Sequence, residues 1–80
     1  LDEEIVALLA ERFRYMEAAA RIKPDRDAVR DEWRKADVLS KVRSAAGRQG
    51  APVERIETLY GALVGSSIAY EFDRWDETRG

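Results

Sequence analysis

The sequence predicts an all-α fold. Apolar residues recur at three- and four-residue spacing through most of the chain, and no stretch shows the period-two alternation of a strand. Both prolines and the pair Gly47 and Gly50 fall between the periodic stretches, where they punctuate three helices joined by short connections.

The first helix is expected from before Leu1 to about Ile22. Its stripe is Leu1, Ile5, Leu8, Leu9, Met16, Ala19 and Ala20. It stops ahead of Pro24, because the residue before a proline disfavours the helical conformation. At its start, Leu1-Asp2-Glu3-Glu4 enters the pattern with no cap and no initiator Met, so native residues are expected before Leu1. Pro24-Asp25-Arg26-Asp27 is a polar connector, and Asp27 is the candidate N-cap of the second helix. That helix is expected from about Ala28 to Ala46, with Val29, Trp33, Ala36, Leu39, Val42 and Ala46 inward and Gly47 and Gly50 closing it. Pro52 belongs to the first turn of the third helix, expected to about Asp76. Its stripe is Ile56, Leu59, Tyr60, Leu63, Val64, Ile68, Phe72 and Trp75, and Thr78-Arg79-Gly80 reads as a frayed end.

Eighty residues make a single domain, 1–80, with a small core. The usual reinforcements are missing. The chain has no Cys for disulfides or thiolate metal sites, and no His to act as ligand or general base. A first helix of 22 residues spans about 33 Å. That exceeds what a globule with a radius of gyration of about 12 Å can cover. A helical dimer in which the long first helices pair is therefore expected. The net charge of −2 gives no sign of nucleic-acid binding. With no membrane-length apolar run and no signal peptide visible, a soluble, cytoplasmic protein is expected.

Polar residues interrupt the apolar faces. Arg12 falls in a gap of the first stripe and Lys23 on its continuation. Eleven residues at about 100° each put the two cations on one face to within about 20°, about 16 Å apart along the axis. Two cations facing a core are costly unless an anion meets them. The alternative is that they lie at the stripe edge, with stems packed and heads in water. On the third helix Ser67 and Glu71 lie one turn apart and line up with Tyr60 and Trp75. Burial disfavours a charged carboxyl, so a protonated Glu71 is expected there. Pairing with Arg74, or with a cation across an interface, is the other option. The second helix carries Arg30, Asp31, Arg34 and Lys35, which also read as a solvated face with an Asp31–Lys35 pair. Taken together, these residues offer fixed positive charge and hydrogen-bond donors, with no nucleophile–base pair and no metal ligands, so neither metal nor cofactor is expected. Such a site suits a small dianion and a reaction that needs shape and electrostatics rather than proton transfer.

In this order, these residues resemble the all-helical class of chorismate mutases and the related isochorismate pyruvate lyases. The resemblance is carried by the run from Leu1 to Arg12 ending in Leu8-Leu9-Ala10-Glu11-Arg12, by Lys23 eleven residues on, by Val29-Arg30-Asp31 with Arg34-Lys35, and by Ser67 with Glu71. It covers nearly the whole chain. It implies an intertwined homodimer of three-helix protomers that converts chorismate, a small dicarboxylate, to prephenate in aromatic amino-acid biosynthesis. On that frame Arg12 holds a substrate carboxylate, and Lys23 bonds the ether oxygen and a carboxylate. Asp31 and Lys35 face the ring hydroxyl, Arg34 borders the pocket, Ser67 touches a carboxylate, and Glu71 donates to the ether oxygen. The frame also implies an arginine ahead of Leu1 that reaches into the partner's site.

Two positions depart from the family pattern. Lys35 stands where an acidic or amide residue is usual, and a lysine donates to a ring hydroxyl but cannot accept from it. Glu71 stands where bacterial mutases often have Gln, and only its protonated form donates. The expected activity is chorismate mutase, an isomerase. The alternatives are isochorismate pyruvate lyase and a non-catalytic helical dimerisation module, the last of which requires Arg12 and Lys23 to be solvent-exposed.

Overall fold

The computed structural model describes residues 1–31 and 35–79, and the side chains of Arg30 and Asp31 lie outside the described set. Four helices follow in order: α1 Asp2–Ile22, α2 Arg26–Asp31, α3 Lys35–Arg48 and α4 Val53–Arg79. No strand occurs among the described residues. The single helix expected over 28–46 is thus represented by α2 and α3, on either side of residues 32–34, which are not described.

Local chemistry accounts for each boundary. Asp2, Glu3 and Glu4 place negative charge in the first turn of α1, where the helix dipole favours it. At the other end Lys23 is extended (φ −75°, ψ 136°), as expected before Pro24. The cap of α2 is Asp25 rather than Asp27: Asp25 Oδ1 accepts from the Ala28 amide at 2.9 Å, so the helix starts at Arg26 and Asp27 falls in its first turn. A Schellman turn ends α3. Gly50 takes φ 71°, its N–H donates to Gly47 O at 3.2 Å, and the Ala51 N–H donates to Ala46 O at 2.9 Å. The Pro52 carbonyl then accepts from Ile56 to open α4, as the Pro-first pattern anticipates.

α4 is the spine, since α1, α2 and α3 all pack on it. α1 runs parallel to α4. Phe13 meets Tyr70 edge to face at 5.0 Å, Glu17 meets Arg74 at 3.5 Å, and Arg79 reaches Ala20. Tyr70 also donates to Glu17, and partial desolvation together with the Glu17 charge raises the Tyr70 pKa. The end of α4 is tied to α2 by a bidentate Arg26–Asp76 pair (2.9 and 3.0 Å), with the Arg26 guanidinium 4.5 Å from the Phe72 ring centre. Hydrogen bonding to Arg26 holds the Asp76 carboxyl below its usual range, so this contribution is present at neutral pH and lost as acid protonates Asp76.

Among the described residues, the fully buried apolar ones are few: Ala20, Val29, Ala46 and Val64. Only the C-terminal part of the α1 stripe is covered within the chain. Leu9, Met16 and Ala19 are half-buried, while Leu1, Ile5 and Leu8 stand in solvent, Leu8 at 66% exposure. With a radius of gyration of 13.9 Å and a long dimension of 43 Å, the chain is more extended than an 80-residue globule of about 12 Å. No helix among the described residues is long and apolar enough to cross a membrane.

Candidate active site

Among the described residues, the buried polar ones are Lys23, Ser67 and Glu71. Ser67 and Glu71 project from one face of α4, with the buried Val64 one turn before Ser67. Lys23 terminates α1, and its Nζ forms a short ion pair with Glu71 Oε2. Both ends of that pair are out of solvent, Lys23 at 6% and Glu71 at 1% exposure. Of the options the sequence left open for Glu71, pairing with a cation from another helix is the one seen here. Arg74, the other candidate partner of Glu71, instead pairs with Glu17 and Glu77.

One turn back along α4, Ser67 meets Arg12. Arg12 Nη1 donates to Ser67 Oγ at 2.6 Å, and Ser67 in turn donates to Leu63 O at 2.7 Å. Arg12 Nε donates to the Tyr60 hydroxyl at 3.2 Å, and the guanidinium carbon lies 5.2 Å from the Tyr60 ring centre. Tyr60 and Ser67 thereby fix the plane of the guanidinium, which suits it to forked recognition of a carboxylate. The two cations leave α1 about 16 Å apart along the axis, yet their partners Ser67 and Glu71 stand about 6 Å apart on α4. They converge because Lys23 has left the helix and its long side chain reaches back along α4 to Glu71.

Four of the residues singled out in the sequence, Arg12, Lys23, Ser67 and Glu71, are therefore assembled on one face of α4. Lys35, the first residue of α3, is exposed and does not join them. Arg34 and the Asp31 side chain lie outside the described residues. Tyr60, Trp75 and Arg79 contribute to this region without having been singled out. The first two were placed in the apolar stripe. Arg79 was read as part of a frayed end, whereas it is the last helical residue of α4 and donates to Ala20 O, Arg21 O and Lys23 O. A signal for it was available: a helix stopped by proline leaves carbonyls that need donors from elsewhere.

Chemically, the cluster presents an oriented guanidinium, a desolvated ammonium and a carboxyl. No group of three potential metal-binding side chains occurs among the described residues. This is the equipment for binding a carboxylate and meeting negative charge as it develops nearby.

Neither a curated protein nor a solved structure matches the chain. The family described as chorismate mutase type II does match, over residues 1–72, which takes in α1, α2, α3 and all four assembled residues. With 72 of 80 residues matched, the protein belongs to the chorismate mutase type II family.

Proposed function

We propose that the cluster of Arg12, Lys23, Ser67 and Glu71 is the site at which chorismate rearranges to prephenate, the isomerase activity of the family. The observation that carries this reading is the buried Lys23–Glu71 pair one helical turn from the Arg12–Ser67 pair. A dimerisation module needs both cation heads in water, and Lys23 is 6% exposed.

The rearrangement is unimolecular. It needs the substrate held in a diaxial, chair-like conformer, and it needs negative charge stabilised on the ether oxygen as the C–O bond breaks. Arg12, oriented by Tyr60 and Ser67, holds a carboxylate and so selects the conformer. Lys23 donates to the ether oxygen from a position already stripped of water, where a charge acts most strongly. Glu71 adds a second donor when protonated. Asp31, Arg34 and Lys35 are proposed to border the ring side of the pocket, as the family frame implies.

A second copy of the chain is proposed to cover α1. Leu1, Ile5 and Leu8 lie uncovered beside an apolar groove of about 400 Å3 lined by Ile5, Leu9, Ile56, Leu59, Tyr60 and Leu63. This groove shares Tyr60 with the Arg12 site, so pairing of two first helices would close the site from one side. A cytoplasmic location and a single domain over 1–80 complete the proposal.

Two measurements test it. A chorismate-like dicarboxylate at about 100 times its dissociation constant should add ~2.7 kcal/mol to stability, read as a rise in Tm. No shift at saturation rejects the anion site. Parallel assays with chorismate and isochorismate separate mutase from lyase: prephenate is expected from the first, and release of pyruvate from the second would reassign the reaction.

A further inference from the structure

We infer that Arg79, assisted by Trp75, is a positioning residue for Lys23. Lys23 closes α1 in an extended conformation, and the last carbonyls of a helix have no donors within it. Pro24 brings no N–H to the turn. The missing donors come from the far end of α4. Arg79 Nη1 donates to Ala20 O at 3.0 Å, and Arg79 Nη2 donates to Arg21 O at 3.3 Å and to Lys23 O at 2.6 Å. Trp75 Nε1 donates to the same Lys23 carbonyl at 3.2 Å. The guanidinium is itself seated on the indole, 4.6 Å from its ring centre, and its charge complements the negative end of the α1 dipole.

The consequence concerns geometry at the site. A lysine side chain has several rotatable bonds, so where its Nζ rests depends on how firmly the backbone beneath it is held. Here that backbone is clamped to α4, the helix that also carries Ser67 and Glu71. One rigid element thus sets both ends of the Lys23–Glu71 distance. Arg79 lies two turns beyond Glu71, and its partners outside α4 are carbonyls at the end of α1, so its influence on the reaction runs through Lys23. The end of α4 has a separate anchor in the Arg26–Asp76 pair, so losing Arg79 loosens Lys23 without undocking the helix. A displacement of about 1 Å at a reacting group can cost up to a hundredfold in rate.

The inference rests on Lys23 acting on substrate, and the test separates the two claims. Initial rates of prephenate formation are measured for Arg79→Ala, Trp75→Phe, Lys23→Ala and the double variant Lys23→Ala/Arg79→Ala, with circular dichroism on each. Arg79→Ala should lower kcat about tenfold while KM moves less than about twofold. Trp75→Phe, which keeps the ring and removes the N–H donor, should show a smaller loss of the same kind. Added ethylguanidine should restore part of the Arg79→Ala turnover. In the Lys23→Ala background, Arg79→Ala should cost nothing further, because its effect is already gone. An equal loss in both backgrounds overturns the positioning role, as does wild-type kcat in Arg79→Ala when Lys23→Ala is slow. Wild-type kcat in Lys23→Ala overturns the reading of Lys23 itself.

Discussion

Lys23→Ala is expected to lower the turnover of chorismate about a hundredfold. Removing one preorganised donor aimed at a developing oxyanion raises a barrier by ~3 kcal/mol, and Lys23 is the most strongly desolvated cation of the site. A reaction with no nucleophile and no proton transfer has few other ways to be accelerated. The barrier falls through conformer selection and charge stabilisation alone, so the donor opposite the breaking bond carries a large share. The loss should fall on kcat at saturating substrate, because the ether oxygen gains most of its charge only in the transition state. Arg12→Ala should instead raise KM together with lowering kcat, since a carboxylate contact is made in the ground state as well. The measurement is prephenate formation at saturation, made well below the midpoint of thermal unfolding and accompanied by a far-ultraviolet circular dichroism spectrum. The spectrum matters because the substitution also leaves Glu71 buried without its partner. A folded Lys23→Ala protein with near-normal turnover would remove Lys23 from the mechanism.

Three of the helix boundaries were legible in the sequence because each is set by a local device. Pro24 ends α1, the Gly50 turn ends α3, and Pro52 opens α4. The site was legible because charge on an apolar stripe has a cost that needs explaining, and Arg12, Lys23, Ser67 and Glu71 all stood on such stripes. Two things could not be read from one-dimensional spacing. One was the choice of partner: Glu71 had Arg74 within one turn of its own helix, yet pairs with a lysine 48 positions away. Helical periodicity reports which face a residue occupies, not which helix will meet it. The other was the role of Arg79. Terminal residues are usually loosely held, and only the parallel packing of α1 on α4 brings this one to a helix end that lacks donors. The cap of α2 was misplaced for a simpler reason. Asp25 and Asp27 are both capping residues, and only the observed Asp25–Ala28 bond decides between them.

Glu71→Ala is expected to cost about 3–5 kcal/mol of stability, as breaking a buried ion pair by deleting one partner does. Lys23 would be left out of solvent without the carboxylate that meets it. Against a total of about 5–15 kcal/mol for a domain, that loss should lower the midpoint of urea unfolding by a large fraction. The pair itself, however, is a poor device for stability. Two charges withdrawn from water forfeit hydration that their attraction barely offsets, so apolar residues of similar volume serve a fold as well or better. Lys23→Met/Glu71→Leu should therefore regain the stability of the parent, or exceed it, while showing no mutase activity. Urea titrations at one fixed protein concentration make the comparison, because any dimer would tie the midpoint to concentration. If the double variant stays as unstable as Glu71→Ala, the pair is a structural keystone and its burial says little about chemistry. If it is stable and inactive, the chain holds a buried lysine and a buried glutamate that its fold does not require. A charge kept dry at a cost to folding is then explained by the reaction it serves.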